Sequence, residues 1–185
     1  MKTKGYFNSF LSDMEKAKEL QELLKNIEEN SDLALLKSIL DLNSELSNNF
    51  AYVALSQTPK FLSICIECNE FNIDSIDKLG FTALFRCCSR PESLIDNIPK
   101  MVSLLLKGGA DPNKRCDATF EYPNFVKRGY TPLMQAAECN SEKVISNLLE
   151  YGADPSLKNT NGITALELAI SKNKNKSINI LSALT

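Results

Sequence analysis

Apolar residues in the first third of the chain recur every three or four positions. Leu11, Met14, Ala17, Leu20, Leu24 and Ile27 form one face of a predicted amphipathic helix ending near Glu29. Ser12-Asp13-Met14-Glu15 opens it as a capping box, the serine accepting from the amide of Glu15 and the glutamate reaching back. Ser31-Asp32 caps a second helix carrying Leu33, Leu36, Ile39 and Leu40. Leu46, Phe50, Val53, Ala54 and Leu55 mark a third. Thr58-Pro59 starts a fourth, since proline suits a first helical turn, and Phe61, Leu62, Cys65 and Ile66 fill its apolar face.

Past residue 80 a longer period takes over. Thr131-Pro132-Leu133-Met134-Gln135-Ala136-Ala137 has degraded copies at Thr82-Ala83-Leu84-Phe85-Arg86-Cys87-Cys88 and Thr164-Ala165-Leu166-Glu167-Leu168-Ala169-Ile170. A glycine stands two places before each threonine, at Gly80, Gly129 and Gly162. Gly109-Ala110-Asp111 and Gly152-Ala153-Asp154 close the first two copies, and Gly129 to Gly162 spans 33 residues, a period that marks repeat architecture. Thr82 to Thr131 is 49 residues, sixteen more than one period. Six of these fall between helices, within Ser89 to Pro99, and ten fall within Lys114 to Arg128.

These motifs resemble the ankyrin repeat, whose unit runs G-x-T-P-L-H-x-A-A, then V/I-x-x-L-L on a second helix, then G-A-D-x-N. Val144-Ile145-Ser146-Asn147-Leu148-Leu149 and Val102-Ser103-Leu104-Leu105-Leu106 fill the second-helix slot, and Asp111-Pro112-Asn113 the ending. The match is specific over about residues 70 to 185. The histidine of that motif is replaced by Phe85, Met134 and Glu167, so its bond to the threonine is missing. The resemblance implies an all-α ankyrin-repeat solenoid of about five helix-turn-helix units with hairpin loops on one edge. The expected division of this single domain, residues 1–185, is as follows: 1–45 a degenerate capping unit, 46–78 a degenerate repeat, 79–113 a repeat with an inter-helix insert, 114–128 an inserted hairpin loop, 129–161 the most regular repeat, and 162–185 a capping repeat. In that last unit Lys172, Lys174 and Lys176 are expected to point outward.

Composition narrows the function classes. Histidine is absent, which removes Ser-His-Asp and Cys-His catalysis and histidine-bearing metal sites. A zinc site from Cys65, Cys68, Cys87 and Cys88 is opposed by geometry, because adjacent helical residues point about 100° apart. Cys87 and Cys88 sit in the paired-alanine slot, and together with Cys116 and Cys139 the cysteines read as small hydrophobes in a reducing compartment. Gly108-Gly109 reads as a helix end rather than a phosphate loop. Glu28-Glu29 and Asp74 with Asp77 lie in solvated or turn positions. No enzymatic activity, cofactor, metal or small-molecule substrate is expected. A net charge of -2 makes no case for nucleic acid or an anionic membrane. No signal peptide and no apolar run of about 18 residues is present, so a soluble, cytoplasmic monomer is expected.

The remaining expectation is protein binding. Phe81, Tyr130 and Ile163 each stand between the glycine and the threonine, and were they exposed they would form an apolar stripe. The 114–128 insert adds Arg115, Phe120, Tyr122, Phe125, Lys127 and Arg128, residue types that dominate interface energetics. Arg90, Met134 and Glu138 are expected along the concave groove. A self-associating scaffold and a small enzyme with an unrecognised site are the alternatives. Small stand-alone ankyrin proteins are common among intracellular bacteria that deliver effectors into host cells, and in some viruses. Eighteen asparagines point to an AT-rich source, so the resemblance implies an effector with a host protein as partner.

Overall fold

The structure, a computed structural model, describes residues 59–184 except 69–71, 78, 79, 91–96, 117–126 and 140, with positions 26, 29, 30 and 34 before them. Apart from those four positions, which are helical, the helices expected between residues 11 and 58 lie outside the described residues. Seven helices follow among the described residues: α1 (Pro59–Cys68), α2 (Ala83–Cys88), α3 (Ile98–Lys107), α4 (Pro132–Cys139), α5 (Glu142–Glu150), α6 (Ala165–Ser171) and α7 (Asn175–Ser182). Helices α2, α4 and α6 pack side by side as one layer, and α1, α3, α5 and α7 as a second. Each first-layer helix pairs with the second-layer helix that follows it. This is the all-α solenoid expected from the repeat.

Small residues allow the layers to approach. Ala83, Cys87, Cys88, Ala136, Ala137, Ala165 and Ala169 are all buried, and Phe61, Leu84, Ile98, Leu105, Leu133, Met134, Ile145 and Leu148 fill the space around them. Met134 is a correction to the sequence reading: it is completely buried and belongs to the core, not the groove surface. Its position on α4 faces inward, where an unbranched, polarizable side chain fills an irregular gap. Ile98 and Pro99, counted with the inter-helix insert, instead form the first turn of α3. Lys172 and Lys176 are exposed as expected, while Lys174, at the start of α7, is half-buried.

The threonines cap their helices without the missing histidine. Thr82 Oγ1 accepts from the Phe85 amide at 3.2 Å, Thr131 Oγ1 from Met134 at 3.3 Å and Thr164 Oγ1 from Glu167 at 3.3 Å. At α6 the cap is reciprocal: the Glu167 carboxylate accepts from the Thr164 amide at 2.7 Å. That bond, followed by one from the threonine hydroxyl, holds the Glu167 carboxyl below its usual range. Glutamate thus replaces histidine with a capping box.

Between units runs a ladder of side-chain bonds. Asn72, Asp111 and Asp154 each accept from the amide two residues on, at 3.1, 2.8 and 2.8 Å. The residue at that second position then reaches the next unit. Asp74 accepts from the Asp111 amide at 3.1 Å, and Asn113 accepts from the Asp154 amide at 2.8 Å while donating to the Gly152 carbonyl at 3.0 Å. The asparagine satisfies both groups; the aspartate can only accept. Ser156, the third member, instead turns its hydroxyl back to Asp154 at 2.6 Å.

Asp74 is the weak rung. Burial raises its carboxyl above the ordinary 3.8, the Asp111 amide opposes this, and the neighbouring Asp111 carboxylate adds to the rise. A carboxyl with a raised folded pKa contributes stability that is complete below its unfolded pKa and is lost as pH rises through the folded value. Asp74→Asn should therefore stabilise the protein at pH 7 by about 0.5–1 kcal/mol, a melting rise of roughly 1–4 °C. The gain should shrink as pH falls through the raised value and level off below the ordinary 3.8. Thermal melts of both proteins across pH 3.5 to 7 check this, and a gain independent of pH would contradict the assigned cause.

Candidate protein-binding surface

Hairpins connecting the units carry the candidate site. In one, the Asp77 amide donates to the Phe81 carbonyl at 2.9 Å and the Gly80 amide to the Asp77 carbonyl at 2.9 Å. Asn159, Gly162 and Ile163 repeat this pattern at 3.0 and 3.0 Å. Cys116, Gly129 and Tyr130 repeat it again, at 2.7 and 3.0 Å, as an antiparallel bridge. Two residues separate Asn159 from Gly162, whereas twelve separate Cys116 from Gly129. Ten residues have been added and the stem bonds are unchanged. Gly129 closes this stem at φ 69°, and a Cβ there would lie 3.1 Å from the Thr160 backbone nitrogen. Both the left-handed conformation and the close approach call for glycine.

The expected apolar stripe is not on the surface, and this is a second correction. Phe81 and Tyr130 are 7% and 8% exposed, and Ile163 is half-buried against the core. Phe81 stacks on Phe85 with centroids 5.0 Å apart, and the Arg86 guanidinium covers it at 4.4 Å. Asp77 holds Arg86 in place, its Oδ2 accepting from Nε at 2.8 Å and from Nη2 at 2.6 Å. In the next unit Cys116 takes the place of Asp77 and Gln135 that of Arg86, and Lys127 supplies the cation. Its ammonium lies 5.3 Å from the centre of the Tyr130 ring and donates at 2.5 Å to Gln135 and at 2.5 Å to Glu138.

Lys127, expected to be a surface contact, is therefore 9% exposed. Its charge is closed by Glu138, whose other oxygen accepts from the Tyr130 hydroxyl at 3.4 Å. Burial, reinforced by the Glu138 charge, pushes the Tyr130 phenol up to about 12. The structure thus brings together Lys127, Tyr130 and Glu138 from the expected set, but they face one another. Arg90 is half-buried at the end of α2, as is Glu138 on α4, while Arg115 and Arg128 are exposed on the hairpin. Phe120, Tyr122 and Phe125 lie outside the described residues.

Sequence reasoning did not pick out Asp77, Arg86, Gln135, Lys158 or Thr160. Aligning the three hairpins position by position would have found them. Lys158 stands 43 residues after Arg115, one 33-residue period plus the ten-residue insert. The thiols offer no visible chemistry of their own: burial raises Cys87 to about 12 and Cys88 well above its usual range, so both stay protonated. Among the described residues no helix is long and apolar enough to cross a membrane.

Residues 96–184 match the family model for ankyrin repeats in three copies. The chain is 35% identical over 107 residues to human BCL-6 corepressor-like protein 1, covering 58% of this chain and 5% of that protein. It is 30% identical over 144 residues to the ankyrin repeat, SAM and basic leucine zipper domain-containing protein 1 of Dasypus novemcinctus, covering 74% of this chain and 27% of the relative. Rabankyrin-5 of Mus musculus is 26% identical over 163 residues, or 87% of this chain and 12% of the relative. The chain spans between 5% and 27% of the length of these relatives.

Removing one partner of the buried Lys127–Glu138 pair leaves the other charge desolvated. Glu138→Ala should cost about 2–4 kcal/mol in urea unfolding. Lys127→Met with Glu138→Leu should recover most of that loss, giving a coupling of at least about 1 kcal/mol. Additive losses in the double variant would show that the pair is not closed as described.

Proposed function

The chain is an ankyrin-repeat protein, and from that premise we propose that it docks a partner protein on its hairpin edge, with the 114–128 insert as the principal contact. Ankyrin repeats are generic protein–protein interaction modules. The observation that carries the more specific reading is the unmoved stem. Ten added residues leave the Cys116–Tyr130 bridge in the geometry of its uninserted neighbours. An insertion that the fold does not need, and that carries Phe120, Tyr122 and Phe125, is better explained by recognition than by packing.

A rigid stem also favours binding. The hairpin is tied to the next unit by Thr160, whose amide and hydroxyl donate to the Arg128 carbonyl at 3.3 and 3.0 Å. A loop rising from a fixed base loses less conformational freedom on docking than one rising from a mobile base. Because Phe81, Tyr130 and Met134 are buried and Lys127 and Glu138 are paired with each other, the proposed contacts shift to Arg115, Arg128 and the insert, with Arg90 as a further contact. The relatives named above are mammalian, so the likeness to them does not itself point to a host-directed effector.

Deleting residues 117–126 joins Cys116 to Lys127 and brings the spacing from Cys116 to Asn159 back to 33 residues. The shortened protein should fold, with stability unchanged or raised by about 1 kcal/mol through loop-closure entropy. Proteins recovered by quantitative affinity capture with the intact chain should fall at least about tenfold, a loss of about 1.4 kcal/mol. Unchanged capture by a normally folded deletion variant would remove the insert from the site.

A further inference from the structure

The hairpin asparagines divide by what holds their carboxamides. Asn72 accepts from the Asp74 amide, and Asn113 bridges the Gly152 carbonyl and the Asp154 amide. Asn159 accepts from the amides of Asn161 and Ile163 at 2.9 and 3.0 Å. Asn161 is exposed, and among the described residues nothing bonds its carboxamide; its own bond is the one its backbone amide gives to Asn159. It is also the one asparagine of the chain that a glycine follows. A glycine nitrogen has no side chain beside it to obstruct an approaching group, and a Cβ at Gly162 would meet nothing within 4 Å.

An unheld carboxamide next to an unobstructed amide nitrogen is set up for ring closure. The Gly162 nitrogen gives its proton to a solvent base and attacks Cγ of Asn161. The new N–Cγ bond closes an imide, the Cγ–Nδ2 bond breaks, and ammonia leaves. Water then adds to either imide carbonyl, giving aspartate or isoaspartate. One water enters and one ammonia departs, with no oxidant or reductant. In the closed turn, however, the nitrogen is occupied: Gly162 donates to the Asn159 carbonyl at 3.0 Å. A bonded amide gives up its hydrogen only when the bond opens, so local opening sets the rate.

We propose that Asn161 is a self-modification site, converted to aspartate and isoaspartate as the 159–162 turn opens. The Gly162–Asn159 and Asn159–Ile163 stem bonds both enclose position 161. Isoaspartate adds a carbon to the main chain inside that enclosure, which the stem geometry does not accommodate. The neighbouring Thr160 ties this hairpin to the inserted one through the Arg128 carbonyl, at 3.3 Å from its amide and 3.0 Å from its hydroxyl. Lengthening the turn therefore loosens the base of the insert. The modification itself does not depend on the docking reading.

The full chain is incubated at mildly alkaline pH and its digest read by mass spectrometry, with isoaspartyl methyltransferase labelling as a second readout. Product at residue 161 should exceed that at Asn113 or Asn159 at least about tenfold, since their carboxamides are held. Asn161→Gln, which would have to close a larger ring, should remove it. In urea, with the turn open, conversion should run at least about tenfold faster. Hydrogen exchange at the Thr160 amide should quicken in the isolated isoaspartyl product. Asn161→Asp, which keeps the main-chain length, should leave that exchange close to the parent's. Conversion spread evenly over the hairpin asparagines overturns the assignment, and so does label that survives Asn161→Gln. Equal rates in the folded and urea-unfolded chain overturn control by the turn. Unchanged Thr160 exchange in the isoaspartyl product overturns the link to the inserted hairpin.

Discussion

A helix of six to ten residues cannot hold itself together in water. The nucleation penalty is recovered only over about twelve residues or more, and α2 has six. Each helix pair here therefore depends on the next pair to cover its apolar face. The contacts follow that rule: first-layer helices pack along their own row, second-layer helices along theirs, and each pair is closed internally. Buried Cys88 and Ala137 sit at the same position of successive units, and the corresponding Ile170 of the last described unit is 53% exposed. A side chain at that position is buried only where a further unit lies over it.

Polar groups in such a stack must be satisfied across unit boundaries as well as within them. Asn147 donates to the Pro99 carbonyl at 2.9 Å, and Ser177 to the Ala137 carbonyl at 2.9 Å. With the Asp74 and Asn113 rungs, these bonds fix how one unit sits on the next. Apolar contact alone specifies proximity, and directional bonds to backbone groups specify register. The buried Lys127–Glu138 pair plays a comparable part within one unit. Its net stabilisation is small once desolvation is counted, but it permits one arrangement of Gln135, Tyr130 and the stem.

Most of the fold was legible because its signals are local. A threonine capping a short apolar helix and a glycine two places before it each act within a few residues, so the repeat could be read directly from Thr82, Thr131 and Thr164. The surface was less legible because covering is not local. Phe81, Tyr130 and Ile163 occupy a position that faces either solvent or a neighbour, and in two of the three units a cation lies over the ring. For Phe81 that cation is Arg86, which reaches back along its own helix. For Tyr130 it is Lys127, placed by the far end of a ten-residue insert. Nothing in the spacing of the aromatics says which charged residue will lie over which ring. Met134 failed for a simpler reason: it was expected along the groove, whereas the helix turns it inward.

The inserted hairpin shows what the fold requires of a connection between units. Cys116 and Gly129 do the work that Asn159 and Gly162 do in the uninserted hairpin, and Lys127 replaces the Asp77–Arg86 device with a cation drawn from the insert itself. The stem is thus held by residues at its two ends. Arg115 links that stem to the following unit through the Lys158 carbonyl from an exposed position. Repeats that share this fold can therefore differ in what they bind by changing residues the fold does not use.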